Sequence, residues 1–122
     1  MNILIVDDSA TMRKIILRTI RQSGYEVDNV LEAGNGKEAL EVLKNNQVDL
    51  VMTDINMPEM NGLELIEALK SNPETKKIPV IVISTEGAED IVGRAQVLGV
   101  KGFIRKPFTP QKIGEALKKV LG

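Results

Sequence analysis

The 122-residue chain contains no cysteine, no histidine and no tryptophan, and its only aromatic residues are Tyr25, Phe103 and Phe108. Without cysteine there is no disulfide framework and no thiolate ligand for zinc or an iron–sulfur cluster. Without histidine there is no Ser-His-Asp triad, no His-Cys pair and no imidazole ligand for a transition metal. The core must be built from Ile, Leu, Val, Met and Ala. Long hydrophobic runs are also missing. The N-terminus, Met1-Asn2-Ile3-Leu4-Ile5-Val6-Asp7-Asp8, has no basic region, and its four-residue apolar run is too short for a signal peptide or a membrane-spanning helix. Neither sign of charge dominates: 16 Lys and Arg face 17 Asp and Glu, a formal net charge of −1. That balance gives no whole-protein reason to bind nucleic acid or an anionic membrane. Chemistry is left to carboxylates, hydroxyls, amines and bound ions, in a domain expected to be cytoplasmic.

What is present is an alternation. Apolar runs at Ile3–Val6, Val27–Ala33, Leu50–Thr53, Val80–Ser84 and Gly102–Arg105 read as strands covered on both faces, with the second the weakest. Between them apolar residues recur at helical spacing: Met12, Ile15, Ile16 and Ile20, stopping at Gly24; Ala39, Leu40 and Leu43; Leu63, Ile66 and Leu69, ending before Asn72-Pro73; Ile91, Val92, Ala95 and Leu98, closed by Gly99. A last helix opens on Thr109-Pro110, a cap followed by proline at the first helical position, and runs through Ile113, Leu117 and Val120. Strand and helix repeated five times predict right-handed crossovers and a parallel α/β sheet with helices on both faces. The length fits one domain, residues 1–122, with no linker and no room for an output domain.

In such sheets ligands bind beyond the carboxyl ends of the strands. There the chain places Asp7-Asp8, Asp54, Ser84-Thr85 and Arg105-Lys106-Pro107. Each has an ordinary reading when taken singly. Asp8 or Ser9 caps the first helix, Asp54 is a turn residue, Ser84 caps the fourth helix and Lys106 is a solvated lysine. Their joint recurrence at four strand exits points to phosphate or divalent-ion chemistry. Three carboxylates about 4 Å apart repel by roughly 4 kcal/mol per pair at an effective dielectric of about 20. A hard divalent ion offsets this best, because every available ligand is oxygen, and magnesium suits a few carboxylates with carbonyls and waters. Three aspartates, one divalent ion and Lys106 sum to zero charge. A phosphoryl group added to one aspartate upsets that balance beside movable donors, which is the layout of a switch.

These residues resemble the receiver domain of two-component response regulators. The likeness rests on Leu4-Ile5-Val6-Asp7-Asp8-Ser9, on Thr53 through Gly62 (Thr-Asp-Ile-Asn-Met-Pro-Glu-Met-Asn-Gly) and on Lys106-Pro107-Phe108, and it covers the whole chain. Ser9-Ala10-Thr11-Met12-Arg13, Glu86 and the stand-alone length are most similar to the chemotaxis members. The resemblance implies a three-layer α/β/α, flavodoxin-like fold, doubly wound, with strand order 2-1-3-4-5. It implies that Asp54 accepts a phosphoryl group from a histidine kinase of the chemotaxis type. Asp8 and Asp54 would ligate magnesium, Asp7 through water, with the Asn56 backbone carbonyl a further ligand. Lys106 would pair with the phosphoryl oxygens, Ser84 would turn in to bond one, and the Lys106–Pro107 peptide would be cis. Self-catalysed phosphotransfer and autodephosphorylation make such a protein a switch rather than a turnover enzyme. The implied partners are the kinase, a downstream protein such as the flagellar motor switch, and a phosphatase.

The sequence departs from the family pattern in places. Phe103 stands where a switching Tyr is frequent, so its ring can still change rotamer but has no hydroxyl to bond Thr85 or a partner; its other reading is plain core. Ser84 replaces a commoner Thr and keeps the hydroxyl without the β-branch. The output face implied is the fourth helix, fifth strand and fifth helix, with Ile91, Arg94, Ala95, Lys101, Phe103 and Gln111 as candidates. Two competing functions are weaker. A haloacid-dehalogenase-like phosphatase would need a second carboxylate where Asn56 stands, and a flavin-binding module would meet a phosphate-repelling Asp7-Asp8 after the first strand. No Gly-x-x-x-x-Gly-Lys-Ser/Thr loop supports a nucleoside-triphosphate enzyme.

Overall fold

Five β-strands and five α-helices alternate along the chain in the computed structural model, which describes residues 1–85 and 87–122. Glu86, part of the family likeness, lies outside the described residues. The elements are β1 (Asn2–Val6), α1 (Ala10–Gln22), β2 (Asn29–Ala33), α2 (Gly36–Asn45), β3 (Leu50–Thr53), α3 (Gly62–Ser71), β4 (Val80–Ser84), α4 (Glu89–Val97), β5 (Gly102–Arg105) and α5 (Pro110–Leu121). All pairings are parallel and the order is β2-β1-β3-β4-β5.

The continuous apolar runs are explained by a core on each side of the sheet. Successive strand side chains point to opposite faces. Leu4, Val6, Val51, Val80 and Val82 therefore pack under α2, α3 and α4 through Ala39, Ile66, Leu69 and Ala95. Ile3, Ile5, Leu50, Met52, Ile81 and Ile83 pack under α1 and α5 through Ile16, Ile20, Ile113 and Leu117.

Helix ends follow the local chemistry. Ser9, not Asp8, caps α1 by accepting the Met12 amide at 3.1 Å. Thr109 caps α5 by accepting the Lys112 amide at 3.2 Å, with Pro110 next. Gly24 and Gly99 turn the chain after α1 and α4 with φ of +84° and +85°. Ala88 occupies the position before α4, so the ordinary reading of Ser84 as that helix's cap does not hold: Ser84 ends β4 and is fully buried. The second strand is also shorter than the predicted Val27–Ala33. Asn29 already pairs with Asn2, and the Met1 carbonyl takes the amides of Asp28 and Asn29, which leaves Val27 no partner on β1. Val27 packs instead against the α1–α5 side of the core.

Replacing Thr109 with Ala removes one side-chain cap and nothing from the core. It should lower the unfolding free energy by about 1 kcal/mol, read as a shift in urea midpoint with unchanged slope.

Candidate functional site

The parallel arrangement brings the ends of β1, β3, β4 and β5 to one edge of the sheet. The Asp7 amide donates to the Ala33 carbonyl at 3.1 Å and the Asp54 amide to the Val6 carbonyl at 2.9 Å. Both residues thus continue the sheet's bonding by one step, and their side chains start from fixed backbone. Carboxylate oxygens of Asp7, Asp8 and Asp54 lie within 4.8 Å of one another. Asp7 is almost wholly buried, Asp54 mostly so, and Asp8 exposed.

Lys106 reaches into this cluster from the end of β5. Its Nζ donates to Asp7 Oδ2 at 2.8 Å and to Asp54 Oδ2 at 3.1 Å. The other oxygens of both residues are held locally: Asp7 Oδ1 accepts the Ser9 amide at 2.9 Å, and Asp54 Oδ1 accepts the Ile55 amide at 2.7 Å. Burial pulls the Lys106 ammonium toward a lower pKa, but the hydrogen bonds and charges of Asp7 and Asp54 outweigh it and the net shift is upward. The side chain is 11% exposed, so Lys106 is not the solvated lysine of its ordinary reading.

Three carboxylates against one ammonium leave a formal charge of −2. At these separations each carboxylate pair still costs about 3–4 kcal/mol at an effective dielectric of about 20. The ligand atoms are all oxygen, and the residual charge of −2 is what one divalent cation neutralises. This set fits a hard ion of the magnesium kind.

The other predicted residues surround this cluster. Ser84 is fully buried at the end of β4, and its carbonyl accepts the Lys106 amide at 2.9 Å. Thr85 and Asn56 are exposed. The Lys106–Pro107 peptide is cis. Phe103 is half-buried against the α2–α4 side of the core. Among the output-face candidates Arg94, Lys101 and Gln111 are exposed and Ile91 half-buried, but Ala95 is fully buried and cannot contact a partner.

Sequence reasoning missed two supports of the site. Arg13 crosses from α1, donating from Nη1 to the Asp7 carbonyl at 2.6 Å and from Nε to Glu32 Oε1 at 2.9 Å. Its place one helical turn after the cap residue Ser9 was a signal that could have been read. Gly62 begins α3 directly under the Asp54 loop. Its amide donates to the Ile55 carbonyl at 2.8 Å, and a Cβ there would overlap the Asp54 carbonyl oxygen and stand 2.9 Å from Ile55 Cα. Only glycine lets the helix start this close to the aspartate.

The family model for the response regulator receiver domain matches residues 3–118. The chain belongs to the response regulator receiver family. It is 50% identical to the chemotaxis protein CheY1 of Helicobacter pylori, covering 100% of this chain and 98% of that protein. It is 47% identical to a CheY homologue of Campylobacter jejuni, covering 100% of this chain and 93% of that one. The high-resolution structure of the chemotaxis response regulator CheY4 of Vibrio cholerae superposes with a TM-score of 0.84 at 31% identity, over 98% of this chain and 97% of that one. This receiver is thus closely related to chemotaxis regulators, and the haloacid-dehalogenase alternative is not favoured. Among the described residues, no helix is long and apolar enough to cross a membrane.

A receiver held by this ion triplet should show a defined alkaline limit. Because the Lys106 pKa is raised on folding, its stabilisation is complete below the unfolded value near 10.5 and fades as pH climbs through the higher folded value. Lys106→Met should lower the melting temperature at neutral pH, and the gap to wild type should close above about pH 10.5. Thermal scans from pH 7 to 12 test this.

Proposed function

We propose that this receiver is a phosphorylation-dependent switch in which Asp54 takes a phosphoryl group from the phosphohistidine of a chemotaxis-type histidine kinase. The observation that supports it most is the convergence of Asp7, Asp8, Asp54 and Lys106 at the carboxyl edge of the sheet. An Asp54 carboxylate oxygen attacks phosphorus. The bond from phosphorus to the donor nitrogen breaks, and its electron pair returns to that nitrogen. Asp54 needs no base, since it reacts as the carboxylate. Asp7, Asp8, Asp54 and the Asn56 carbonyl would hold magnesium, which would neutralise charge on the phosphoryl oxygens.

Lys106 then exchanges its hold on Asp7 and Asp54 for the phosphoryl group, and the Ser84 hydroxyl donates to a phosphoryl oxygen. Catalysis of transfer and of autodephosphorylation resides in this same site. Movement at Ser84 and Thr85 passes to Phe103 and to the face formed by α4, β5 and α5. That face meets a downstream protein, with the flagellar motor switch the leading candidate given the chemotaxis relatives. A phosphatase completes the set of partners, and the site of action is the cytoplasm.

With acetyl phosphate and magnesium, intact-mass spectrometry should show one phosphoryl group on the wild type and none on Asp54→Asn. Chelating the magnesium should abolish labelling of the wild type, and equal labelling of the variant would remove Asp54 from its role. Amide spectra recorded with magnesium and beryllofluoride, a mimic of the aspartyl phosphate, should shift at the acidic site and onward to Phe103 and α4. Shifts confined to the acidic site would mean that it switches nothing.

A further inference from the structure

The loop between β3 and α3 carries Asn56, whose carbonyl belongs to the proposed metal site. It also holds Glu59, which among the described residues is the one non-glycine with a positive φ, +66°. The Met60 amide donates to the Pro58 carbonyl at 2.7 Å, closing a three-residue turn around Glu59. A γ-turn around a positive φ is the rare and strained form, and it persists only where the surroundings hold it.

Those surroundings are the start of α2. The first amides of a helix have no partner within it. The amide of Gly36, the first residue of α2, takes the Met60 carbonyl at 3.0 Å. Gly36 is buried, and the Met60 side chain lies directly against it. A Cβ added to Gly36 would stand 2.5 Å from Met60 Cγ, 2.7 Å from Sδ and 2.9 Å from Cβ. The overlap reaches the root of the methionine side chain, so moving its tip aside would not make room. Lys37 Nζ pairs with Glu59 Oε2 at 3.5 Å, but both side chains are mostly exposed and such pairs contribute little. The end of α2 is itself firm. Asn35 caps it by accepting the Glu38 amide at 2.9 Å, and the Glu38 carboxylate accepts the Gly34 amide at 3.2 Å.

We infer that Gly36 and Met60 form a clamp by which α2 holds the β3–α3 loop in its strained turn, and that this clamp sets how tightly the acidic site binds a hard divalent cation. The inference rests on the magnesium reading above. Asp7 and Asp54 start from backbone fixed in the sheet, whereas Asn56 stands on the loop, and its place depends on where the loop is tied. Gly62 ties one end beneath Asp54, and Gly36 ties the other. A ligand already in place needs less ordering when the ion arrives. Gly36 and Met60 are positioning residues, acting through the loop rather than on the ion.

Magnesium titrations of the full chain, followed through the amide signals of Asp7, Asp8 and Asp54, give a dissociation constant that involves no phosphoryl transfer. Gly36→Ala should weaken binding about tenfold, as loss of an outer support does at other metal sites. Met60→Ala keeps the carbonyl bond and loses only the packing, so it should weaken binding about threefold, and the double variant should match it because the overlap is gone. Glu59→Gly accepts the turn freely and removes only the Lys37 pair, so its constant should stay within about twofold of wild type. Leu43→Ala, at the far end of α2, should lower the melting temperature and leave the constant within about twofold. An unchanged constant in Gly36→Ala, or no recovery in the double variant, overturns the inference. A loss in Leu43→Ala or Glu59→Gly as large as that in Gly36→Ala also overturns it, since stability or the surface pair would then account for the effect. Should Gly36→Ala not fold, Met60→Ala decides, and an unchanged constant there overturns the clamp. A wild type with no saturable magnesium response would bring down the metal reading itself, whereas a saturable wild type with unmoved variants removes the clamp alone.

Discussion

Mutual repulsion among three carboxylates is the constraint around which this molecule is arranged. The adjacent Asp7 and Asp8 and the distant Asp54 come from two stretches of chain, yet their oxygens crowd within 4.8 Å. No packing of apolar groups rewards that closeness. It persists because the sheet fixes the backbone of Asp7 and Asp54, because local amides hold one oxygen of each, and because Lys106 bridges the other two. The apolar core on both faces stabilises an arrangement that is electrostatically unfavourable in isolation, as functional sites commonly require. A cation or a phosphoryl group alters the charge sum directly, so the site is sensitive to the species that it is proposed to bind.

The surrounding residues determine how such a change travels. Lys106 is joined through its amide to the carbonyl of Ser84, and Arg105, its neighbour, sits beside Ser84 in the sheet. Lysine, serine and arginine thus share two adjacent strand ends. Hydrogen-bonded backbone, rather than a chain of soft side-chain contacts, joins these positions. Arg13 performs a comparable service on the other flank, tying α1 to the Asp7 carbonyl and to Glu32 on β2.

Much of this was legible in the sequence because covalent order does most of the placing. A residue just after a buried parallel strand must emerge at the carboxyl edge, so Asp7, Asp54, Ser84 and Lys106 could be assigned to one rim without coordinates. The alternation of strand and helix gave the parallel sheet, and the strand order came from the family likeness. What could not be read depended on neighbours distant in sequence. Gly62 looks like a simple helix start until the Asp54 carbonyl is seen beneath it. Ala95 belongs to the periodic stripe of α4, but only packing shows that it is the stripe's one fully buried member. The start of β2 was misjudged because strand length is set by the partner: β1 begins at Asn2, and pairing stops there.

The helix α4 has a thermodynamic consequence of its own. It buries a single residue, follows Ala88 without a side-chain cap, and carries Gly93 at a position where a side chain would meet open space. A central glycine costs about 1 kcal/mol of helix propensity relative to alanine, and nothing around Gly93 requires that loss. The helix therefore stands near the bottom of the ladder of local opening energies, and it can fray and re-form while the sheet beneath it stays intact. Its backbone amides will exchange with solvent well before those of β3 or β4, and reshaping this one segment draws on only a small fraction of the free energy that holds the whole chain together.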